Sequence, residues 1–365
     1  MTLAITYRRS GDPAEILEVT DIGEPSPPGP GQVQVRVSAF PIHPGDALAI
    51  SATATPGREL IAGVEATGVV TEVGAGVTGL SPGTRVTFFP YLGAWRQVAN
   101  VDAANVVPVP DSVPDEVAAQ MLCNPVTAVM LRRAAQQHFA VGYDGVVLNN
   151  AAASSVGRLF TAVAEHHQIA TISIVRSEER AQQLRDRFPT VPAVSTADPD
   201  WVEQVRTAAG SRPIPVALDP VGGATASGLL SALSPGGTLI VYGELAQEPI
   251  PLHAATILHS AFAIRGLTIN RWLTAVSAEQ RASDLASAVA IATVLPQHFD
   301  VAAIYPLERI GDAVRHVSQP GKVGTVVVKL LPKTTRSRKR VPKTWCGADV
   351  LASILDRIPP PLWPP

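Results

Sequence analysis

The sequence predicts an α/β protein in which a doubly wound parallel sheet is joined to a β-rich antiparallel domain. From Gly145 onward, apolar runs (GVVLNN, ATISIV, PVALDP, TLIVYG) alternate with helical patterns (SEERAQQLRDRF, DPDWVEQVRTAAG), the rhythm of βαβ units. Before about Asn124 the rhythm differs: QVQVRVSAF, GVVTEVG and TRVTFFP alternate apolar and polar residues between the turn signals PGPG, GAG and SPG. The length of 365 residues exceeds one usual hydrophobic core, so two domains are expected.

The boundaries follow from these shifts. Residues 1–124 form the β-rich domain, 125–299 the nucleotide-binding domain, and 300–330 return to complete the first, supplying one helix and one closing strand from IYPLERIGDAVRHVSQPGKVGTVVVKL. Residues 331–365 change composition. KTTRSRKRVPK carries six cations within positions 333–343, and a short helix over 348–357 is expected inside an otherwise flexible appendage. Seven Lys or Arg against Asp349 and Asp356 put this tail at +5, and the chain's net −2 then leaves −7 for the rest. An acidic body offers no footprint for nucleic acid.

Hydrophobic residues at 46% and charged residues at 16% exclude a disordered chain. Cys123 and Cys346 are the only cysteines, too few for a disulfide framework or a Cys-rich zinc site, and they fit a reducing compartment, with the cytoplasm expected. The N-terminus lacks an apolar segment after its charges, and the longest uncharged run, Pro249 to Ile264, is broken by proline and histidine, so neither secretion nor membrane insertion is expected.

The chemistry begins at LNNAAASSVGRLFTAVAE, where an apolar strand runs through small residues into an amphipathic helix. In a Rossmann-type turn glycines permit a tight bend, backbone approach to a pyrophosphate and close helix packing. Here Ala151 to Ser155 occupy the turn, Gly157 follows Val156, and Ser154 or Ser155 offers a hydroxyl at the electropositive helix start. A small-residue turn that serves packing alone is the competing reading. Nineteen residues past Gly157, Arg176 stands where an acidic residue would hold an NAD ribose, and a guanidinium there suits a 2′-phosphate, with Arg180 one turn on. NADPH is therefore the expected cofactor. The alternative leaves Arg176 as a solvated charge and lets Glu178 or Glu179 reach the ribose.

With these residues in place, the chain resembles the medium-chain dehydrogenase/reductase superfamily over nearly all of Met1 to Leu330, through GVEATGVVTEVGAGVTGLSPGTRV, AAASSVG, ALDPVGG and GKVGTVVV. Within it the chain looks most like the zinc-independent 2-enoyl thioester reductases and quinone oxidoreductase-like members, through HPGD, GAWR, NPVTA, VYGELAQEPIPL and IRGLTINRW. The resemblance implies a GroES-like β-rich domain beside a Rossmann domain, and a homodimer formed through the AFAIRGLTI strand. It also implies that Asn124 and Thr127 line the nicotinamide ribose, Ala153, Ser154, Ser155 and Val156 the pyrophosphate, Arg176 the 2′-phosphate, and Tyr242 and Gly243 the nicotinamide. Asn124-Pro125 as a helix start and Tyr242 as core remain alternatives.

Zinc-using members carry a Gly-His-Glu segment and cysteine ligands. This chain reads Gly63-Val64-Glu65, has His43 in the earlier ligand region, and shows no ligand spacing among His43, His253, His259 and His316, so no metal is expected. Without a metal, the chemistry that remains is hydride transfer to a conjugated small-molecule acceptor: a 2-enoyl thioester, enone or quinone. Related enoyl reductases place a tyrosine shortly after the HPGD-like segment as proton donor, but that position falls at about Ala54. Tyr91 and His43 are the substitute candidates. Asp46 reads as a helix cap, and Trp95 and Arg96 either line an acyl channel or fasten a loop. A catalytically silent NADPH-binding or sensor protein is the reading from a different class.

Overall fold

The computed structural model describes residues 1–52, 58–139 and 144–330. The position of Ala54, the basic tail and the helix expected at 348–357 lie outside the described residues. The chain divides into two compact units, Met1–Cys123 with the chain from Leu285 onward, and Asn124–Asp284.

The first unit is built from short antiparallel strands. β1 (Leu3–Tyr7), helix α1 (Pro13–Ile16), β2 (Glu18–Asp21), the long β3 (Gln32–Ile42), helix α2 (Pro44–Ala52), β4 (Leu60–Ile61), β5 (Ala66–Val73), β6 (Arg85–Phe88), β7 (Val98–Asp102) and β8 (Val106–Pro108) follow in order, before helix α3 (Asp115–Ala118). β3 shows why. Val33, Val35 and Val37 alternate with Gln32, Gln34 and Arg36, so one face enters the core and the other does not. The core gathers Phe40, Phe88, Trp95 and the valines of β3. Trp95 is fully buried and stacks on Phe40 at 5.2 Å, and a Cβ on Gly63 (φ +84) would sit 2.0 Å from its ring. Trp95 therefore belongs to this core and does not line an acyl channel. Arg96 fastens its loop, donating from Nε to the Gly93 carbonyl at 2.6 Å and lying 5.4 Å over the Tyr91 ring.

The second unit opens with helix α4 (Cys123–Gln136) and alternates β9 (Val147–Asn150), α5 (Ser155–His166), β10 (Thr171–Val175), α6 (Glu178–Arg187), β11 (Ala193–Ser195), α7 (Trp201–Ala209), β12 (Val216–Asp219), α8 (Gly223–Ala232), β13 (Thr238–Val241), α9 (Ala254–Ser260), β14 (Ala263–Gly266) and α10 (Ile269–Ala275). Its strands pair in the order β11-β10-β9-β12-β13-β14, all parallel. This is the doubly wound arrangement, and its strand order reverses between β9 and β12. β9, β10 and β12 are buried at every position, as a sheet covered on both faces requires.

Helix α11 (Ala278–Val294) leads back to the first unit, where β15 (Val301–Pro306), α12 (Ile310–Val317) and β16 (Thr325–Lys329) close the larger sheet. β16 pairs antiparallel with β3 and parallel with β15. The return thus contains two strands, not the single strand expected: VAAIYP alternates too little for a period-two reading, and pairing with β16 makes it a strand. Among the described residues no helix is long and apolar enough to cross a membrane.

Candidate active-site elements

In the second unit the turn after β9 is shaped by small residues. Ala151 adopts φ 49, Ser154 N–H donates to the Ala151 carbonyl at 2.8 Å, and Ala152 N–H reaches the Ile174 carbonyl at 3.1 Å. Ser154 is the N-cap of α5, its Oγ accepting from Gly157 N–H at 3.0 Å, so this hydroxyl serves the helix start first. Gly157 is required by closeness: a Cβ there would meet the Ala151 oxygen at 2.5 Å and the Ala152 Cα at 2.7 Å. The helix start therefore rests directly on the turn backbone, the third-glycine function of a dinucleotide turn. Asn149 Nδ2 ties the same region down, donating to the Gly157 carbonyl at 2.9 Å and to Thr161 Oγ1 at 3.0 Å.

Three strand ends are stitched together around this turn. Asn150 Nδ2 donates to Asp219 Oδ1 at 2.8 Å, while Asn150 Oδ1 accepts from Ala151 N–H at 2.8 Å. Asp219 also accepts from Val221 and Gly222 N–H at 2.9 and 3.1 Å, and its carbonyl accepts from Tyr242 N–H at 2.9 Å. The ends of β9, β12 and β13 are thereby held in one cluster at the sheet's carboxyl edge, which brings Ala153, Ser154, Ser155 and Val156 together with Tyr242 and Gly243. A Cβ on Gly243 would meet the Pro220 oxygen at 2.9 Å. Tyr242 Oη is buried with no hydrogen-bond partner among the described residues, and burial, assisted by the Asp219 charge, pushes its pKa up so that it keeps its proton. A buried phenol with an unused donor at the mouth of a doubly wound sheet is the kind of atom a ligand completes.

Arg176 follows β10 directly, exposed, with no ion-pair partner among the described residues. Arg180 stands one turn into α6, whose N-cap is Ser177, and donates to Gln183. Glu178 is ion-paired to Arg185, and Glu179 accepts from Gln183 at 3.2 Å. Both acidic residues are thus engaged along α6, while Arg176 stands at the end of β10. Asn124 and Thr127 lie three residues apart at the start of α4, Asn124 buried and Thr127 half-buried. The helix begins at Cys123, so Asn124 is inside its first turn, not its N-cap.

The first unit holds a buried cluster that the sequence did not reveal. His43 Nε2 and Glu65 Oε2 are 2.8 Å apart, and Glu65 Oε1 accepts from Leu122 N–H at 2.7 Å and Cys123 N–H at 3.2 Å. Asp46 Oδ2 accepts from His43 N–H at 2.8 Å, reaching back from the first turn of α2 as the second half of a capping box. Burial opposes a charge on His43, but the Glu65 hydrogen bond and the charges of Asp46 and Glu65 outweigh it and hold the imidazole above its usual 6.5. Burial raises Asp46 to about 6 against the pull of His43. Burial, then Glu65 and Asp46, push the Cys123 thiol well above 9. His43, Glu65 and Cys123 offer donor atoms within 4.8 Å of one another. His43 is thus buried and hydrogen-bonded within this cluster. The one sequence signal for the cluster was a carboxylate, Glu65, immediately before the largely apolar start of β5. Tyr91, the other proton-donor candidate, is half-buried, edge-on to Phe88 at 5.6 Å and under the Arg96 guanidinium.

Comparison with known proteins bears on both units. Residues 29–111 match the alcohol dehydrogenase GroES-like domain and residues 155–287 the zinc-binding dehydrogenase domain. Mouse mitochondrial enoyl-[acyl-carrier-protein] reductase is 30% identical over 277 residues, covering 74% of this chain and 73% of the mouse protein. A Bacillus thuringiensis structure assigned as an NADPH:quinone reductase superposes with a TM-score of 0.79 at 26% identity, over 90% of this chain and 98% of that one. Escherichia coli quinone oxidoreductase, solved with NADPH, gives 0.78 at 22% identity, over 90% and 100%.

Proposed function

The chain belongs to the medium-chain dehydrogenase/reductase superfamily, and on that premise we propose that it is an NADPH-dependent reductase that transfers hydride to a conjugated acceptor without a metal. The observation that carries the reading is the stitched carboxyl edge of the second unit: a turn closed on Gly157, an unpartnered buried Tyr242 Oη, and Arg176 at the end of the next strand. NADPH is the cofactor in the E. coli neighbour and fits these residues. Ala153, Ser154, Ser155 and Val156 would face the pyrophosphate at the start of α5, where backbone N–H groups favour an anion. Arg176, with Arg180, would take the 2′-phosphate by paired charge-assisted hydrogen bonds. Asn124, Thr127, Tyr242 and Gly243 would hold the nicotinamide end. When bound, NADPH supplies the hydride. The chain's part is to orient it, exclude water, and deliver a proton where the acceptor needs one.

The acceptor class is a 2-enoyl thioester, enone or quinone. The mouse relative is an enoyl reductase and the Bacillus neighbour is assigned as a quinone reductase. The two chemistries differ in proton demand. An enoyl thioester takes a proton at its α-carbon from a general acid, while a hydroquinone's oxygens take theirs from water. With alanine at position 54, the proton for an enoyl substrate falls to His43, which its acidic neighbours keep protonated beyond its usual range, or to Tyr91.

The zinc of related dehydrogenases does not fit this chain. The donor atoms of His43 and Glu65 are hydrogen-bonded to each other, and Val64 stands where the Gly-His-Glu segment places its histidine ligand. Zinc sites of this kind rest on a histidine and cysteine ligand set, and valine at position 64 removes the histidine. We further hold that β14, the outer strand of its sheet with Ile264 exposed, is the edge through which two copies pair, and that the protein works in a reducing, cytoplasmic setting.

The test is to follow NADPH oxidation with a medium-chain 2-enoyl thioester and, separately, with benzoquinone. Thioester turnover assigns the proton to a group other than a tyrosine at position 54. Quinone turnover alone places the protein among acid-independent reductases. Tight NADPH binding with no turnover on either acceptor overturns the reductase reading in favour of a silent NADPH-binding protein.

A further inference from the structure

A cavity of about 550 Å³ lies within the second unit, between one face of α4 and the segment that leaves β14. Its α4 wall is Met130, Arg133 and Ala134, the spacing of a single helix face, with Gln137 in the turn that follows, and Thr127 stands one turn earlier on that face. The floor is apolar and buried, with Met130 at 7% exposure and Ile240 and Trp272 at 2%. The rim is cationic. In the single chain Arg265, on β14, and Arg271, in α10, are both exposed, and neither has an acidic partner among the described residues.

The remaining charges are accounted for. Arg133 is neutralised by Asp284 through two bonds of 2.7 and 3.0 Å. Asp284 also accepts from Trp272 Nε1 at 2.7 Å and Gln280 Nε2 at 2.9 Å, which fixes the wall that Trp272 forms. His138 is driven toward its neutral form by burial and by the neighbouring Arg265. Among the described residues no Asp or Glu lines the cavity. Two uncompensated guanidinium groups therefore stand over an apolar floor of fixed shape.

We propose that this cavity is a binding site for a small amphiphilic anion, an alkyl or aryl body carrying a phosphate or carboxylate head. The body fills the space over Met130 and Trp272, and Arg265 and Arg271 take the head as charge-assisted hydrogen-bond donors. The volume lies in the range of small-molecule sites, about 300–1,000 Å³, and an apolar lining with a few convergent polar groups is their usual composition. Guanidinium forks suit planar carboxylate and phosphate oxygens alike. The site is separate from the turn after β9 and does not depend on the protein being a reductase.

The experiment is calorimetric titration of the full chain, saturated with NADPH so that the arginines at the end of β10 are occupied. The probes are octyl phosphate, octanoate, octanol and inorganic phosphate. Octyl phosphate or octanoate should bind at least tenfold more tightly than octanol and inorganic phosphate, and the tighter of the two identifies the head group. Arg265→Gln and Arg271→Gln should each weaken the amphiphilic anion by about tenfold, the effect of one charge-assisted hydrogen bond, and leave octanol unchanged. Both side chains are exposed, so the variants fold. Absence of binding, inorganic phosphate matching octyl phosphate, binding seen only without NADPH, or indifference to both substitutions overturns the proposal.

Discussion

Gly157→Ala tests whether the turn after β9 is built for close approach. The added Cβ would lie 2.5 Å from the Ala151 oxygen, 2.7 Å from the Ala152 Cα and 2.9 Å from the Ala152 carbonyl carbon. All three are backbone atoms, so no side chain can swing away. Restoring an ordinary contact of 3.4 Å requires the turn and the start of α5 to part by about 0.9 Å. Overpacking of this kind costs about 1–3 kcal/mol of stability. The larger effect falls on the cofactor. A displaced turn loses at least one N–H bond to phosphate, worth about 1.5–3 kcal/mol, or about 10- to 100-fold in Kd. The assay is a fluorescence titration with NADPH beside urea denaturation. Gly76→Ala is the control, because Gly76 has φ +80 with nothing within 4 Å and lies in the first unit. It should lose stability through backbone strain while keeping its NADPH affinity. If Gly157→Ala binds NADPH within about twofold of the native protein, the turn is not a pyrophosphate site.

Three further outcomes are expected. Arg176→Asp should raise the Michaelis constant for NADPH at least about tenfold more than that for NADH, since it replaces a guanidinium with a like charge facing the 2′-phosphate; an unchanged ratio removes Arg176 from that role. Asp46→Asn should stabilise the protein at pH 8 but not at pH 4. The folded-state pKa of Asp46 is raised from 3.8 to about 6 by burial, so the folded form binds the extra proton and native stability falls as pH rises through that window, by about 3 kcal/mol at about 1.4 kcal/mol per unit. The neutral amide keeps an acceptor for His43 N–H and escapes that loss; urea midpoints across the pH range read it, and a variant weaker at pH 8 than at pH 4 relative to native refutes it. Purified protein should carry no stoichiometric zinc, and a chelator should leave turnover intact; elemental analysis finding one zinc per chain would show that the His43, Glu65 and Cys123 network opens to a metal.

The fold was legible because its signals are local. Period-two alternation in QVQVRVSAF marks β3, and the uncharged, β-branched ATISIV marks β10 between helical segments. The glycine at 157 was legible as a turn feature for the same reason. What the sequence hid depends on contacts between distant positions. Glu65 meets Leu122 and His43 only because β5 and the HPGD segment converge, and no spacing rule links positions 43, 65 and 123. Asn150 and Asp219 are likewise 69 residues apart, and each looks like an ordinary strand-end residue until the parallel register of β9 and β12 sets their ends side by side. Trp95 failed in the other direction. Its position in GAWR left a channel and a loop fastening equally open, and stacking on Phe40 commits it to the core.

The central claim is hydride transfer from NADPH to a conjugated acceptor. It is tested most directly with NADPH carrying deuterium at the transferable position, incubated with the protein and either a 2-enoyl thioester or a quinone, followed by mass analysis and NADPH quantitation. With the thioester, one deuterium should appear in the reduced product for each NADPH consumed, and with the quinone, NADPH and quinone should disappear in equal amounts. Bound NADPH that survives intact beside unreduced acceptors contradicts the account.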